Sequence, residues 1–357
     1  MQLLIILLVF AIICILWILA VRGRRNAPGI EKLDGWYYAH RGLHSKPDAP
    51  ENSLEAFKRA VAKGYGSELD VHLLADGRLG IMHDSNMKRV TGVDKIIETL
   101  REDELKNYHL GESRETIPTL REVLDVYKGK APLIIELKPY ENNYAPLCEA
   151  VCRELEGYEG VYCIESFFPQ VVLWLKKNRP DIIRGQLSMD YLKSRGTTSF
   201  LQAVISTNLF WNFLSRPDFV AYRFRERNNI SNKICMKLWK MRGASWTLKT
   251  KADFEEAKKE HLWPIFEKIA PEYDHPAFLQ KEVHPEGQDQ RSLRLYSLPS
   301  ILPAFSTLSI RSRRSESFST PRSNQILASA ATGTASSMPR KPPTAPPMIR
   351  ATITSMG

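Results

Sequence analysis

Pro132-Leu133-Ile134-Ile135-Glu136-Leu137-Lys138 is an apolar run whose only charged side chains stand at its carboxyl end. A strand this continuously apolar is covered on both faces, the condition met in parallel sheets flanked by helices. In a (β/α)8 barrel the carboxyl ends of the strands hold the active site. Glu136 and Lys138 therefore have two readings: an ion pair closing the strand, or a metal ligand beside a phosphate contact. The pattern recurs at His40-Arg41, which follows the aromatic run 36–39.

Working toward the N-terminus, residues 67–74 read Ser-Glu-Leu-Asp-Val-His-Leu-Leu, with Glu68, Asp70 and His72 alternating against Leu69, Val71 and Leu73. Period-two alternation puts Glu68 and Asp70 on one strand face, about 7 Å apart. Carboxylates at that spacing can converge on one hard cation, whose oxygen ligands lie at roughly 2.0–2.6 Å. Asp76-Gly77 then makes a tight turn, and 78–82 return as a second strand ending in His83-Asp84. An isolated Glu-x-Asp on an edge hairpin is more often a solvated polar face. The strand at 133–137 shifts the balance toward a site.

Apolar runs place eight barrel strands near 36–39, 68–73, 133–137, 161–165, 182–187, 219–222, 244–247 and 264–266, with helical patterns between most of them. That alternation predicts a parallel α/β architecture. In the first helix Asn52 with Glu55 resembles a capping box, Leu54, Phe57 and Val61 form an apolar stripe, and Gly64 ends it. Residues 85–130 lack a strand of barrel type and read as an insertion plus the second barrel helix. Residues 191–217, with Phe200, Phe210, Trp211 and Phe213, read as an extra helical stretch; core packing is the first reading of that stripe and a cover for the mouth the second. Trp246, ending a strand, reads either as an apolar wall for substrate or as a core tryptophan.

Taken together, His40-Arg41-Gly42, Pro50-Glu51-Asn52-Ser53 with Ala56-Phe57, Glu68-Leu69-Asp70-Val71, Asp76-Gly77, His83-Asp84 and Glu136-Leu137-Lys138 resemble the glycerophosphodiester phosphodiesterase family, in its membrane-anchored bacterial form. Ser166-Phe167-Phe168-Pro169, Pro217 to Tyr222 and Trp246-Thr247 fit as well, so the resemblance spans roughly 35–270. It implies a (β/α)8 TIM barrel with a small insertion after the second strand. It also implies one divalent cation, Ca2+ or Mg2+, on Glu68, Asp70 and Glu136, with His40 and His83 as the acid–base pair. Arg41 and Lys138 then bind phosphate, and Glu51 with Asn52 supports the site from the first loop. The resemblance does not extend to His72. The implied reaction is hydrolysis of a glycerophosphodiester to an alcohol and glycerol 3-phosphate, by attack of the glycerol 2-hydroxyl through a cyclic phosphate. Both histidines are expected to titrate near neutrality for that work. A lysophospholipid is the variant substrate, and a catalytically silent, membrane-tethered binding barrel is the competing class. Silent relatives usually lose a histidine or a metal carboxylate, and here all are present.

The 357 residues hold one barrel of about 250 residues plus appendages. A membrane anchor with its basic flank occupies 1–25, a linker 26–34, the barrel 35–272, and a Ser-, Pro- and Arg-rich tail of disordered composition 273–357. The tail reads as a basic membrane-surface tether or an out-of-frame end. The net charge of +10 sits in the flank and the tail, while 26–291 is neutral, which excludes the concentrated positive face of a nucleic-acid-binding domain. Residues 3–21 are uncharged and nearly match a 30 Å hydrocarbon core at about 1.5 Å per residue. Arg22, Arg24 and Arg25 follow that run and no Lys or Arg precedes it, so an uncleaved single-pass anchor with a cytoplasmic barrel is expected. Of the five cysteines Cys14 lies in the span, and the others lack disulfide or zinc spacing. Cys148 and Cys152 read as core positions four apart on a helix.

Overall fold

The computed structural model describes residues 1–272 apart from 195 and 197, so the tail proposed for 273–357 lies outside the described residues. The strands are β1 (Tyr38–His40), β2 (Gly66–Leu73), β3 (Leu79–Ile81), β4 (Leu133–Leu137), β5 (Tyr162–Ser166), β6 (Arg184–Ser188), β7 (Phe219–Arg223), β8 (Arg242–Leu248) and β9 (Trp263–Phe266). All but β3 run parallel, and pairing of β1 with both β2 and β9 closes an eight-stranded barrel. β3 lies antiparallel on β2 as the expected hairpin. The apolar run at 133–137 is β4, buried along its whole length. β2 is buried at every position but Leu73, which removes the solvated edge-hairpin reading.

The helices are α1 (Gln2–Ala20), α2 (Leu54–Ala62), α3 (Lys88–Thr91), α4 (Leu120–Tyr127), α5 (Tyr144–Glu154), α6 (Pro169–Asn178), α7 (Phe200–Thr207), α8 (Asn212–Ser215), α9 (Ile230–Lys233) and α10 (Lys251–Lys259). Each barrel strand from β1 to β8 is thus followed by helical crossover structure, with α3 and short 3-10 turns forming the insertion between β3 and α4. Cys148 and Cys152 are buried on α5, as the four-residue spacing suggested.

The closing strand is short, yet its four residues are all buried. Trp263 packs against Tyr38 of β1 and Phe219 of β7, with ring centres 6.4 and 4.9 Å away. Gly66 leaves the room that Tyr38 fills: a Cβ there would sit 2.9 Å from the tyrosine ring.

Two expectations are corrected. The cap of α2 is Ser53, whose Oγ accepts from the Ala56 N–H at 3.1 Å, while the Asn52 side chain turns inward to a carboxylate. The aromatic stretch at 191–217 is not core throughout. α7 packs inward through Ala203 and Thr207, the small side chains that a helix lying close to its neighbours admits, and this leaves Phe200 facing out. Phe213 on α8 is likewise exposed, and only Phe210 joins a buried cluster.

The last turns of α1 dock on the barrel. Val21 is buried among Leu209, Val220, Tyr222 and Cys235. Trp17 Nε1 donates to Ser231 Oγ (3.0 Å), Trp239 Nε1 to the Ile18 carbonyl (2.8 Å), and Asn212 Nδ2 to the Val21 carbonyl (3.0 Å). Arg24 then clamps the Asp218 carboxylate at 2.5 and 2.9 Å.

Candidate active site

The parallel register stacks the carboxylates. Asp70 of β2 is level with Glu136 of β4, which is level with Glu165 of β5, and Glu68 is level with His40 of β1. Ligand oxygens of Glu68, Asp70 and Glu136 lie within 4.8 Å of one another, and all three residues are buried. Buried charge of one sign is unfavourable unless matched. Lys138, two residues beyond Glu136 on the same strand face, places Nζ 2.7 Å from Glu136 and 3.0 Å from Asp70 Oδ1. Arg41 Nε stands 3.5 Å from Asp70 Oδ2.

These contacts split the carboxylates. Burial works against the Asp70 anion, but Lys138, His83, Arg41 and the Asn52 amide outweigh it and hold Asp70 well below the ordinary range. Burial, reinforced by Asp70 and Glu136, pushes Glu68 well above it. Glu136 rises to about 7, burial and Asp70 prevailing over Lys138. Asp70 Oδ1 is buried with no aligned hydrogen-bond donor despite the nearby Nζ, and Glu165 Oε2 likewise lacks a partner. The cluster therefore has more acceptor capacity than the protein's own donors fill, which fits a cation-binding group.

The first loop is built on unusual backbone. Arg41, Gly42 and Asn52 all have positive φ, and a Cβ on Gly42 would stand 2.9 Å from Ala56, so only glycine lets α2 come this close. This fold-back lets the Arg41 N–H donate to Glu68 Oε2 (3.1 Å) and Asn52 Nδ2 to Asp70 Oδ2 (2.8 Å). Asn52→Ala is expected to destabilise the protein by about 2 kcal/mol, roughly half because alanine lacks asparagine's tolerance of the left-handed region and half from the lost charge-assisted bond. Chemical denaturation measures it, and a parent-like midpoint would show that Asn52 supports nothing.

His40 sits 3.9 Å from Glu68, and its Nδ1 lies 3.4 Å from Glu267, just beyond β9. His83 Nδ1 pairs with Asp84 at 2.7 Å. Neither ring matches the near-neutral expectation. Burial first, then Arg41, pushes His40 down to about 4, and burial with Lys138 does the same to His83. Removal from water penalises the imidazolium more than the carboxylates behind each ring favour it. Both rings are neutral at pH 7.

Glu51 does not reach the carboxylate cluster. It bridges Arg41 (2.8 Å) and Arg89 (2.7 Å), and Arg89 also holds Asp84. Burial opposes these pairs, yet the arginines hold Glu51 at about 2. An alternating chain, Arg41–Glu51–Arg89–Asp84–His83, thereby ties the first loop to the insertion. His72 serves as a strut: its Nδ1 lies 2.6 Å from Glu98 of the insertion. Trp246 is half-buried, edge-on to Phe167 at 5.5 Å, and Phe167 meets Tyr191 at 6.5 Å and carries Lys138 Nζ 6.0 Å from its ring centre. Glu267, Arg89, Glu165 and Tyr191 were not singled out from sequence. Glu267 follows the same signal as His40, a charge just past the end of an apolar strand; Arg89 carries none.

Residues 40–183 match the model of the glycerophosphoryl diester phosphodiesterase family. A glycerophosphodiester phosphodiesterase of Bacillus altitudinis is 32% identical over 166 residues, covering 43% of this chain and 67% of that protein. One from Caldanaerobacter subterraneus subsp. tengcongensis is 33% identical over 159 residues, covering 42% and 65%. The matched region thus spans about two thirds of the length of these curated relatives. Among solved structures, an Oleispira antarctica phosphodiesterase in complex with the product sn-glycerol-3-phosphate shares the fold with a TM-score of 0.54 at 23% identity, covering 66% of this chain and 93% of its own. The chain belongs to the glycerophosphodiester phosphodiesterase family of phosphoric diester hydrolases, built as a (β/α)8 barrel.

Proposed function

We propose that the chain hydrolyses glycerophosphodiesters to an alcohol and glycerol 3-phosphate, using one divalent cation, Ca2+ or Mg2+, with His40 and His83 as the acid–base pair. The observation that carries this reading is the approach of two neutral imidazoles, one at the end of β1 and one in the loop after β3, to one buried cluster of three carboxylates and two fixed cationic side chains. Glu68, Asp70 and Glu136 would hold the cation: an all-oxygen, hard donor set suits Ca2+ or Mg2+, and their mutual repulsion is what a bound cation relieves. Bound there, the cation withdraws charge from the phosphoryl oxygens as a Lewis acid.

The side chains supply the rest. Arg41 and Lys138 bind the phosphate, Glu51 fixes Arg41, Asn52 fixes Asp70, and Trp246 with Phe167 walls the leaving alcohol. One imidazole takes the proton of the glycerol 2-hydroxyl as its oxygen attacks phosphorus. The bond to the leaving alcohol breaks, a cyclic phosphate forms, and the second imidazole gives that alcohol its proton. A phosphate anion entering beside that ring favours its protonated form. Water then opens the cycle with the two roles exchanged. The test is a panel of phosphodiesters, glycerophosphocholine among them, assayed after exhaustive chelation and after return of Ca2+ or Mg2+. Chelation is expected to abolish turnover and either metal to restore it; full activity without metal removes the cation from the proposal, and inertness toward the whole panel removes the substrate class.

We also propose that α1, long and apolar enough to cross a bilayer, is a single-pass anchor in the cell membrane, with the barrel in the cytoplasm. Arg22, Arg24 and Arg25 flank its barrel side, and positive flanks stay inside. Protease added to intact cells is expected to spare the barrel and, added to inverted vesicles, to digest it. Digestion in intact cells reverses the orientation.

A further inference from the structure

We propose that the flank of the barrel formed by α7, α8 and α9 is seated in the lipid interface beside α1, so that the mouth of the site opens at the membrane surface. This rests on the reading of α1 as a membrane span. The 19 residues of α1 extend about 28 Å, close to a hydrocarbon core of roughly 30 Å. The helix is not free over that length, because Trp17, Ile18 and Val21 are bound to Ser231, Trp239 and Asn212. Residues 2–13, the wholly exposed part, reach only about 18 Å. A span therefore brings its docked turns to lipid depth, and the barrel surface beside them comes with it.

That surface has the composition the position requires. Beyond residue 20, eight large apolar side chains are exposed among the described residues, and seven of them fall between 192 and 238, the stretch that supplies the α1 partners Asn212, Ser231 and Trp239. Phe200 and Leu201 on α7 are 65% and 69% exposed, Phe213 on α8 59%, and Ile230 on α9 63%. Exposed apolar side chains scattered along a chain need no explanation, whereas their concentration in the one stretch that docks α1 points to an interaction surface. Its rim carries the side chains of a membrane interface: Arg22 lies 5.2 Å from the Trp239 ring centre and Arg216 5.6 Å from that of Phe213.

The placement reaches the site. Phe200 and Ile230 open the helices that follow β6 and β7, so they stand toward the carboxyl end of the barrel, where the site lies. Exposed Leu192 adjoins Tyr191, which packs on Phe167 in the site's aromatic wall. The lipid-facing chain is one residue from the substrate wall.

The test uses the full chain with α1, reconstituted in vesicles of phosphatidylcholine and phosphatidylglycerol. On a Cys14→Ser background, Leu201→Cys, Ile230→Cys and, as control on the insertion, Val93→Cys each carry an environment-sensitive fluorophore. A nitroxide-bearing lipid is expected to quench the first two by about twofold or more and to leave the control unchanged, as side chains buried to 5–10 Å in the interface require. Carbonate extraction of the same vesicles tests α1 separately. Carbonate resistance with unquenched labels overturns the seated flank and leaves the anchor standing; release by carbonate overturns both. Labels shielded from water but not reached by the lipid quencher would assign the flank to a second copy of the chain instead.

Discussion

Glu68→Gln is expected to lower metal-dependent turnover by roughly 10³-fold, the scale of the several kcal/mol that a cation contributes to phosphoryl charge stabilisation, without weakening the metal-free fold. The two effects have one cause. Glu68 is buried and repelled by Asp70 and Glu136, which is why its carboxyl is pushed upward. Glutamine keeps the shape and the oxygen that accepts the Arg41 N–H at 3.1 Å, while it removes a carboxyl whose ionisation beside Asp70 and Glu136 is unfavourable. Taking away a buried acid that like-charged neighbours repel relieves that repulsion, and function-bearing sites carry such strain as a matter of course. Thermal unfolding separates the roles. On the proposed reading, Ca2+ or Mg2+ is expected to bind only the native state and so to raise the parent's midpoint, whereas the variant's midpoint is expected to start level or higher and barely respond. A variant that keeps both its turnover and its metal-induced shift would exclude Glu68 as a ligand.

The ends of the strands are where sequence and structure agree best, and the reason is physical. A charged side chain interrupting or ending an apolar run has no cheap position in a packed barrel except the open carboxyl end, so Glu136, Lys138 and His40 announced themselves. Glu68 and Asp70 were legible because strand periodicity alone puts both on one face. Asn52 was misread as a cap because Asn and Ser compete for that role, and only the fold shows Ser53 taking it while Asn52 reaches Asp70. Glu267 was passed over because β9 is only four residues long and its sequence gave no familiar ending. Arg89 sits in the insertion, where no period relates it to Glu51, 38 positions away. The docking of α1 was equally hidden, since a hydrophobic span reads the same whether its last turns are free or held. The imidazoles titrate lower than expected because burial cannot be read from a His-Arg or His-Asp pair.

His40→Ala and His83→Ala are each expected to lower turnover of a glycerophosphodiester by about 10²–10⁴-fold, the contribution of a positioned general acid or base. Both losses belong to one turnover, so the double variant should fall well short of the product of the two. The neutrality of both rings makes either one competent as the base as it stands. The acid must carry a proton, and Glu267 behind His40 and Asp84 behind His83 are each placed to support the charged ring. The leaving group decides between them. An alcohol such as choline cannot depart without a proton, whereas a nitrophenol leaves as the stable phenolate. With the nitrophenyl ester of glycerol phosphate, the variant lacking the acid is therefore expected to recover most of its rate of nitrophenolate release, though not of opening the cyclic phosphate, and the variant lacking the base to stay impaired in both. Near-parental activity of either variant on the alkyl ester would remove that histidine from the chemistry. Failure of the aryl ester to rescue either one would show that protonation of the leaving oxygen is not what these side chains contribute.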